Sequence, residues 1–351
     1  MNDRTELTDL VADIMKAHAG PDIVETSERS WSADLWAQLD ETGLTAVGID
    51  ESAGGSGGTF ADAAAVIRAA ARAAAPVPLV GTLLLAPHLR TVFGAPHRRG
   101  PSAVAVGSVR AVAGDDGVRL EGTITEVAYG RIADTVLVLG RDEAAGRVLL
   151  AEIPGAEVNW EQHENLAGEP RDSAELSLAV TALGALPLAE LDGIIERLRD
   201  IEALGLSLSI AGALHTVQEL TVGYANERAQ FGKPISKFQA VKQLAAVLAG
   251  EVAVTDAAVS AAVDLVEAGA PAGFPIAAAR LRAALAATEV SKIAHQIHGA
   301  IGYTREYRLH QYTRRLWSWR DEGRSEAQWS EIAGQRVLAN GPDRVWETLV
   351  G

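Results

Sequence analysis

At 351 residues the chain is too long for one ordinary domain of about 150, so two or three packed units are expected. A formal charge of −15 disfavours nucleic acid and anionic membrane surfaces as partners, and the absence of cysteine excludes disulfides, thiolate nucleophiles and cysteine metal sites. Residues 1–20 carry charges throughout and no run approaches about 18 consecutive apolar residues, so neither a leader nor a spanning helix is expected and the protein reads as cytoplasmic.

Residues 1–100 read as an N-terminal helical domain. Trp31, Leu35, Trp36 and Leu39 recur at helical spacing, and the pattern is broken by Gly54-Gly55-Ser56-Gly57-Gly58 and by Pro76-Val77-Pro78. Residues 101–183 change texture. Short β-rich runs at Ser102–Val112, Val118–Leu120, Thr135–Leu139 and Val148–Ile153, separated by Gly and Asp turns, predict a small antiparallel barrel or sandwich. Residues 184–351 are helical again, with Ala/Leu-rich segments near 188–227, 234–268 and 272–298 whose lengths predict a four-helix bundle. The expected fold is therefore mostly α with a central β domain.

Between the first two long segments of that bundle runs Glu227-Arg228-Ala229-Gln230-Phe231-Gly232-Lys233-Pro234-Ile235, followed by Phe238-Gln239. A cation, an aromatic ring and an amide at a helix junction suit a long, flat, phosphorylated ligand. Arginine pairs bidentately with a pyrophosphate, an aromatic lies against a ring system, and glutamine both donates to and accepts from a purine edge. The same stretch also reads as a capping loop with a solvated arginine. Gly54–Gly58 is not a phosphate loop, because no Lys-Ser/Thr follows at the required spacing. His295 and His298 are three apart but have no carboxylate at helical spacing, so no metal is expected. Tyr312, Trp317 and Trp319 with Arg314, Arg315 and Arg320 read as a bundle or subunit interface.

Three groups of residues carry a resemblance over almost the whole chain. They are Leu35-Trp36-Ala37-Gln38-Leu39 with Thr42-Gly43-Leu44 and Gly54-Gly55-Ser56-Gly57; Arg228-Ala229-Gln230-Phe231-Gly232-Lys233-Pro234-Ile235 with Phe238-Gln239; and Gln296-Ile297-His298-Gly299-Ala300-Ile301-Gly302-Tyr303-Thr304. In these the sequence resembles the acyl-CoA dehydrogenase family. The resemblance implies an FAD shared between two subunits: Arg228 matches the arginine that reaches the pyrophosphate, Phe231 and Gln239 match positions near the adenosine half, and Gln296 and Gly299 match a loop whose amides approach the phosphates. Ala300 replaces the usual second glycine.

The β domain departs from that pattern. Where the family carries Thr-Glu-Pro with Gly-Ser-Asp, and then aromatic-Ile-Thr-Asn, this chain reads Ala103–Arg110 and Gly122–Gly130 with neither polar cluster intact. Electron density developing on a flavin ring would lack stabilising donors there. The family's base occupies one of two positions. Near the C-terminal end Asp321-Glu322-Gly323-Arg324 comes close, but an ungapped count from Arg314 puts Gly323 at the position; Glu202, twenty-six residues ahead of Arg228, falls at the spacing of the other. Glu202 also reads as one more charge on a helix start rich in Asp192, Glu196, Arg197, Arg199 and Asp200.

The resemblance thus implies α,β-dehydrogenation of an acyl-CoA thioester, with this chain as the half-site subunit of a heteromeric enzyme like those of actinobacteria. A larger acyl-CoA dehydrogenase subunit would complete a heterotetramer, a homo-oligomer being the alternative, and electron-transfer flavoprotein would be the oxidant. A bulky substrate such as a sterol side-chain thioester is suggested by analogy. The alternative function is a non-catalytic subunit that only completes a partner's FAD site.

Overall fold

The computed structural model describes residues 3–114, 117–339 and 341. In chain order, helices α1 (Asp3–His18), α2 (Pro21–Thr26), α3 (Ala33–Glu41), α4 (Phe60–Arg72) and α5 (Ala86–Val92) precede strands β1 (Ser102–Ala105), β2 (Gly107–Gly114), β3 (Gly117–Ala128), β4 (Thr135–Asp142), β5 (Arg147–Pro154), β6 (Arg171–Val180) and β7 (Ala182–Pro187). Then come α6 (Leu191–Glu227), the two-residue strands β8 (Ala229–Gln230) and β9 (Lys233–Pro234), α7 (Gln239–Glu267), α8 (Gly273–His298), α9 (Leu309–Asp321) and α10 (Glu326–Ala339). Helices, then strands, then long helices is the order expected from the sequence.

The chain divides into two compact units, residues 1–25, 64–75 and 203–351 forming one and residues 26–63 and 76–202 the other. In the second unit, Ser32 caps α3 by accepting from the Leu35 amide at 3.3 Å, and α3 buries Leu35, Trp36 and Leu39 as its periodicity predicts. The predicted glycine turn packs against Ile49. A Cβ on Gly55 would sit 2.1 Å from the Ile49 carbonyl oxygen, so only glycine fits.

The seven strands form one sheet in the order β6-β3-β2-β4-β5-β7, with β1 beside β4. The expectation of an antiparallel barrel or sandwich needs one correction. The predicted run Ser102–Val112 breaks at Val106 into β1 and β2, and both pair in parallel with β4. The remaining pairs are antiparallel. Val136, Val138, Leu149, Ala151 and Ile153 form the sheet's inner face with Leu120 and Ile124. On its other side Leu137, Leu139, Val148 and Leu150 pack with Leu89 of α5 and with Leu191, Ile194 and Leu198 of α6. A single π-helical turn, Gly81–Leu85, leads into α5.

In the first unit α7 packs along α8, and Leu248, Ile293, Leu309, Tyr312 and Leu316 share one core with Ile210, Leu214 and Val217 of α6. By length and composition α7 could cross a membrane, its best 18-residue window having a mean hydropathy of 1.6. Its charges say otherwise. Glu251 pairs with Arg282 of α8, and Asp256 pairs with Arg68 of α4 and with His215 of α6 at 2.7 Å. Both acids are committed to partners inside the unit, as in a core helix of a bundle.

Candidate nucleotide-binding site

The junction between α6 and α7 is a tight hairpin, which the sequence pattern did not announce. Ala229 and Gln230 pair with Pro234 and Lys233, leaving Phe231 and Gly232 as a two-residue turn with φ of 51° and 79°. Two successive positive φ values are what a type I′ turn requires, and its usual residues are Asn-Gly. Phe231 therefore holds a left-handed backbone that disfavours an aromatic residue, while its side chain is 90% exposed. Phe231 thus combines a left-handed backbone with a large apolar ring that the unit leaves exposed.

The hairpin folds back on its own root. The Ile235 amide donates to the Arg228 carbonyl at 2.8 Å, Phe231 meets Phe238 edge-on at 6.2 Å, and the Lys233 ammonium lies 4.5 Å from the centre of the Phe238 ring. Gln239, the next residue, begins α7 and is exposed. Arg228 is exposed too, and among the described residues no carboxylate pairs with it.

The second predicted motif lies at the end of α8 in the same unit. Gln296 is exposed on the last turn, and Gly299 ends the helix at φ 63° and ψ −141°. That region is essentially reserved for glycine, and a Cβ there would meet nothing within 4 Å, so the requirement is one of backbone alone. Ala300, in place of the family's second glycine, has no positive φ and needs none.

The two motifs meet. Ile297 shares an apolar cavity of about 80 Å³ with Ala225, Asn226, Ser236, Val241 and Lys242. His298 stacks on Tyr224 at 4.6 Å, and the Tyr224 carbonyl accepts from the Arg228 amide at 2.8 Å. Arg228, Phe231, Gln239, Gln296 and Gly299 thus belong to one unit around one helix junction.

His298 and His295 are themselves buried, and burial lowers both imidazoles below their usual value of 6.5, the charge of His298 adding to the effect on His295. His298 Nδ1 lies 2.7 Å from the Ala294 carbonyl and must carry the proton there. His295 stacks on Tyr303 at 4.3 Å and reaches Thr313 Oγ1 at 3.1 Å. Both rings act as parts of the packing around the glycine loop, and no group of three metal-binding side chains occurs among the described residues.

Glu202 belongs to the second unit, in the sequence of α6 and twenty-six residues ahead of Arg228. It is half-buried, one turn beyond the Glu196–Arg199 pair at 3.0 Å and next but one to the buried Asp200. The other candidate acids are engaged. Arg320 grips Asp321 with two 2.7 Å hydrogen bonds that hold its carboxyl below the usual range, and at Glu322 it is the backbone carbonyl, not the carboxylate, that accepts from buried Arg280 at 3.0 Å. In the sheet, the stretch expected to lack ring-holding donors contains a bulge between Ile124 and Val127. Glu126 there has φ 56° and is exposed, and Ala128 follows.

Comparison with known proteins agrees with this architecture. Residues 1–96 match the acyl-CoA dehydrogenase N-terminal domain and residues 193–336 the acyl-CoA dehydrogenase C-terminal domain. The chain is 30% identical over 354 residues to acyl-CoA dehydrogenase IpdE2 of Mycobacterium tuberculosis, covering 99% of this chain and 98% of that protein. Among solved structures, the ChsE4-ChsE5 complex of Mycobacterium tuberculosis aligns with a TM-score of 0.87 at 24% identity, covering 97% and 98% of the two chains. A variant of the Tcur3481-Tcur3483 steroid acyl-CoA dehydrogenase aligns at 0.84 with 26% identity and coverages of 97% and 98%. With both terminal domains matched and a full-length relative at this identity, the chain belongs to the acyl-CoA dehydrogenase family of flavoprotein oxidoreductases, which act on the CH–CH bond of acyl-CoA thioesters.

Proposed function

We propose that this chain is the half-site subunit of a heteromeric acyl-CoA dehydrogenase, gripping the adenosine half of an FAD whose ring is held by a larger partner. The observation that carries the reading is the α6–α7 hairpin, which presents an exposed Phe231 at φ 51° and an exposed Arg228 that no carboxylate pairs among the described residues. The residues present fit the cofactor's dianionic, flat, purine-bearing end. Arg228 would take the pyrophosphate, Gln296 and the Gly299 backbone would approach the phosphates, and Phe231 and Gln239 would meet the adenosine. Bound FAD would supply the acceptor for the β-hydride.

Glu202 is the candidate base on this chain. Half-burial suits a carboxylate that removes the α-proton of the thioester while the C–C double bond forms. A bulky, steroid-like acyl group is suggested by the steroid assembly among the structural relatives, with electron-transfer flavoprotein as oxidant and the cytoplasm as location. A second reading, a non-catalytic subunit that only completes a partner's site, is favoured by the sheet, where Gly122–Gly130 does not keep the family's ring-holding polar cluster and is bulged between Ile124 and Val127.

Co-expression with a larger homologue separates these readings. The chain purified alone should be colourless and the complex yellow. Arg228→Ala in the complex should weaken FAD binding about 10- to 100-fold, as loss of a charge-assisted pair does; undiminished flavin content would remove Arg228 from the site. Glu202→Gln should leave flavin bound and abolish turnover if this chain supplies the base, whereas an unchanged rate would favour the structural reading.

A further inference from the structure

The distribution of positive charge points beyond Arg228. The chain has five lysines, and three of them, Lys233, Lys237 and Lys242, fall within ten residues. With Arg228 they make four cations against the single acid Glu227 between residues 226 and 243, so this segment is +3 in a chain whose total is −15. All four are exposed, and among the described residues no carboxylate pairs with any of them. Lys233 lies over the ring of Phe238.

Backbone hydrogen bonds close the segment that carries the four cations. Ile235 donates to Arg228 at 2.8 Å, Phe238 to Ile235 at 3.1 Å and Lys242 to Phe238 at 3.1 Å. Exposed Lys242 also lines the apolar cavity, together with buried Ala225, Leu248 and Ile297. Lys233 rests on its ring, but Arg228, Lys237 and Lys242 have no carboxylate partner among the described residues, and such a local excess of positive charge on an acidic protein suits an anion that compensates it.

We propose that Lys237 and Lys242 bind the phosphates of the shared dinucleotide together with Arg228, making the α6–α7 junction a phosphate-capture surface and not a single-arginine contact. This rests on the nucleotide-site reading above and extends it. An otherwise negative molecule repels an incoming dianion, and a local positive field at the mouth of the site offsets that repulsion and raises the capture rate, more so at low salt.

The test uses the co-expressed complex, stripped of flavin, with FAD, ADP and adenosine as probes. Lys237→Gln/Lys242→Gln should weaken FAD and ADP binding about 5- to 10-fold at low salt, flatten their salt dependence and leave adenosine binding unchanged, while Lys237→Arg/Lys242→Arg restores wild-type affinity. If Arg228→Ala loses FAD but the glutamine pair keeps wild-type affinity and salt slope, the nucleotide reading stands and this proposal falls. If neither set changes FAD binding, both fall. Dissociation of the glutamine variant into separate subunits with normal FAD affinity in the intact fraction would assign the lysines to an acidic partner surface and overturn the proposal.

Discussion

Phe231 and Gly299 each hold a positive φ, and at Gly299 no crowding forces it. Gly299 has open space where a Cβ would go, so Gly299→Ala tests conformation with little steric admixture. It should destabilise the chain by about 1–3 kcal/mol, measured as a lower urea midpoint at unchanged slope, because alanine cannot hold φ 63° with ψ −141°. Ala300→Gly next door should cost less than about 1 kcal/mol, since it adds only unfolded-state freedom; equal losses at the two positions would contradict the backbone argument. At this scale the sequence was informative about identity and silent about geometry. Gln296-Ile297-His298-Gly299 pointed to a special glycine, and Gly299 ends α8 at φ 63°, yet Phe231-Gly232 carries no Asn-Gly signal, so an I′ hairpin was hidden behind an aromatic residue.

Elements were legible where a period ran long and obscure where it broke. Helices near 188–227, 234–268 and 272–298 appear as α6, α7 and α8 with ends that coincide or shift by up to five residues, because long apolar periods leave few alternatives. The π turn before α5 and the division of the first β run at Val106 carry no periodic signal, and parallel pairing with β4 is a tertiary choice. The Arg68–Asp256–His215 cluster was equally invisible, since it joins three helices far apart in sequence. Burial alone would raise the Asp256 carboxyl, but hydrogen bonds from His215 and Arg68 and the arginine's charge outweigh it and hold the group below its usual 3.8. A carboxylate lowered on folding contributes stability above its unfolded value and loses it as pH falls through the folded one. Asp256→Asn should therefore cost about 2 kcal/mol at pH 7, and the gap from wild type should persist to about pH 4 and close below it in urea titrations. A gap already closed at pH 5.5 would mean that the cluster does not stabilise α4 against α6 and α7.

At the scale of the whole molecule, acid acts in two opposing directions. Falling pH relieves the self-repulsion of a chain with pI near 5.0, which favours the folded state. Against this stand four imidazoles whose pKa is lowered on folding. Burial is the leading cause for each, joined by Arg197 at His88, by Arg90 and Arg99 at His97, and by His298 at His295; at His298 the bond to Ala294 opposes it. His88 is the furthest displaced, down to about 4, and its Nε2 is buried without a partner. The unfolded chain binds this proton near pH 6.5 and the folded chain does not until about 4, so stability is complete above 6.5 and falls between those values. One proton over that interval is worth about 3 kcal/mol, large beside a usual net stability of about 5–15 kcal/mol. His88→Phe isolates it, because both proteins share the same background charge relief as pH falls. The difference in unfolding free energy between them should change by up to about 1.4 kcal/mol per pH unit between pH 6 and 4.5 and be constant above pH 7.5. A difference that stays flat across the acid range would show that the His88 ring is hydrated in the folded protein and titrates as it does in the open chain.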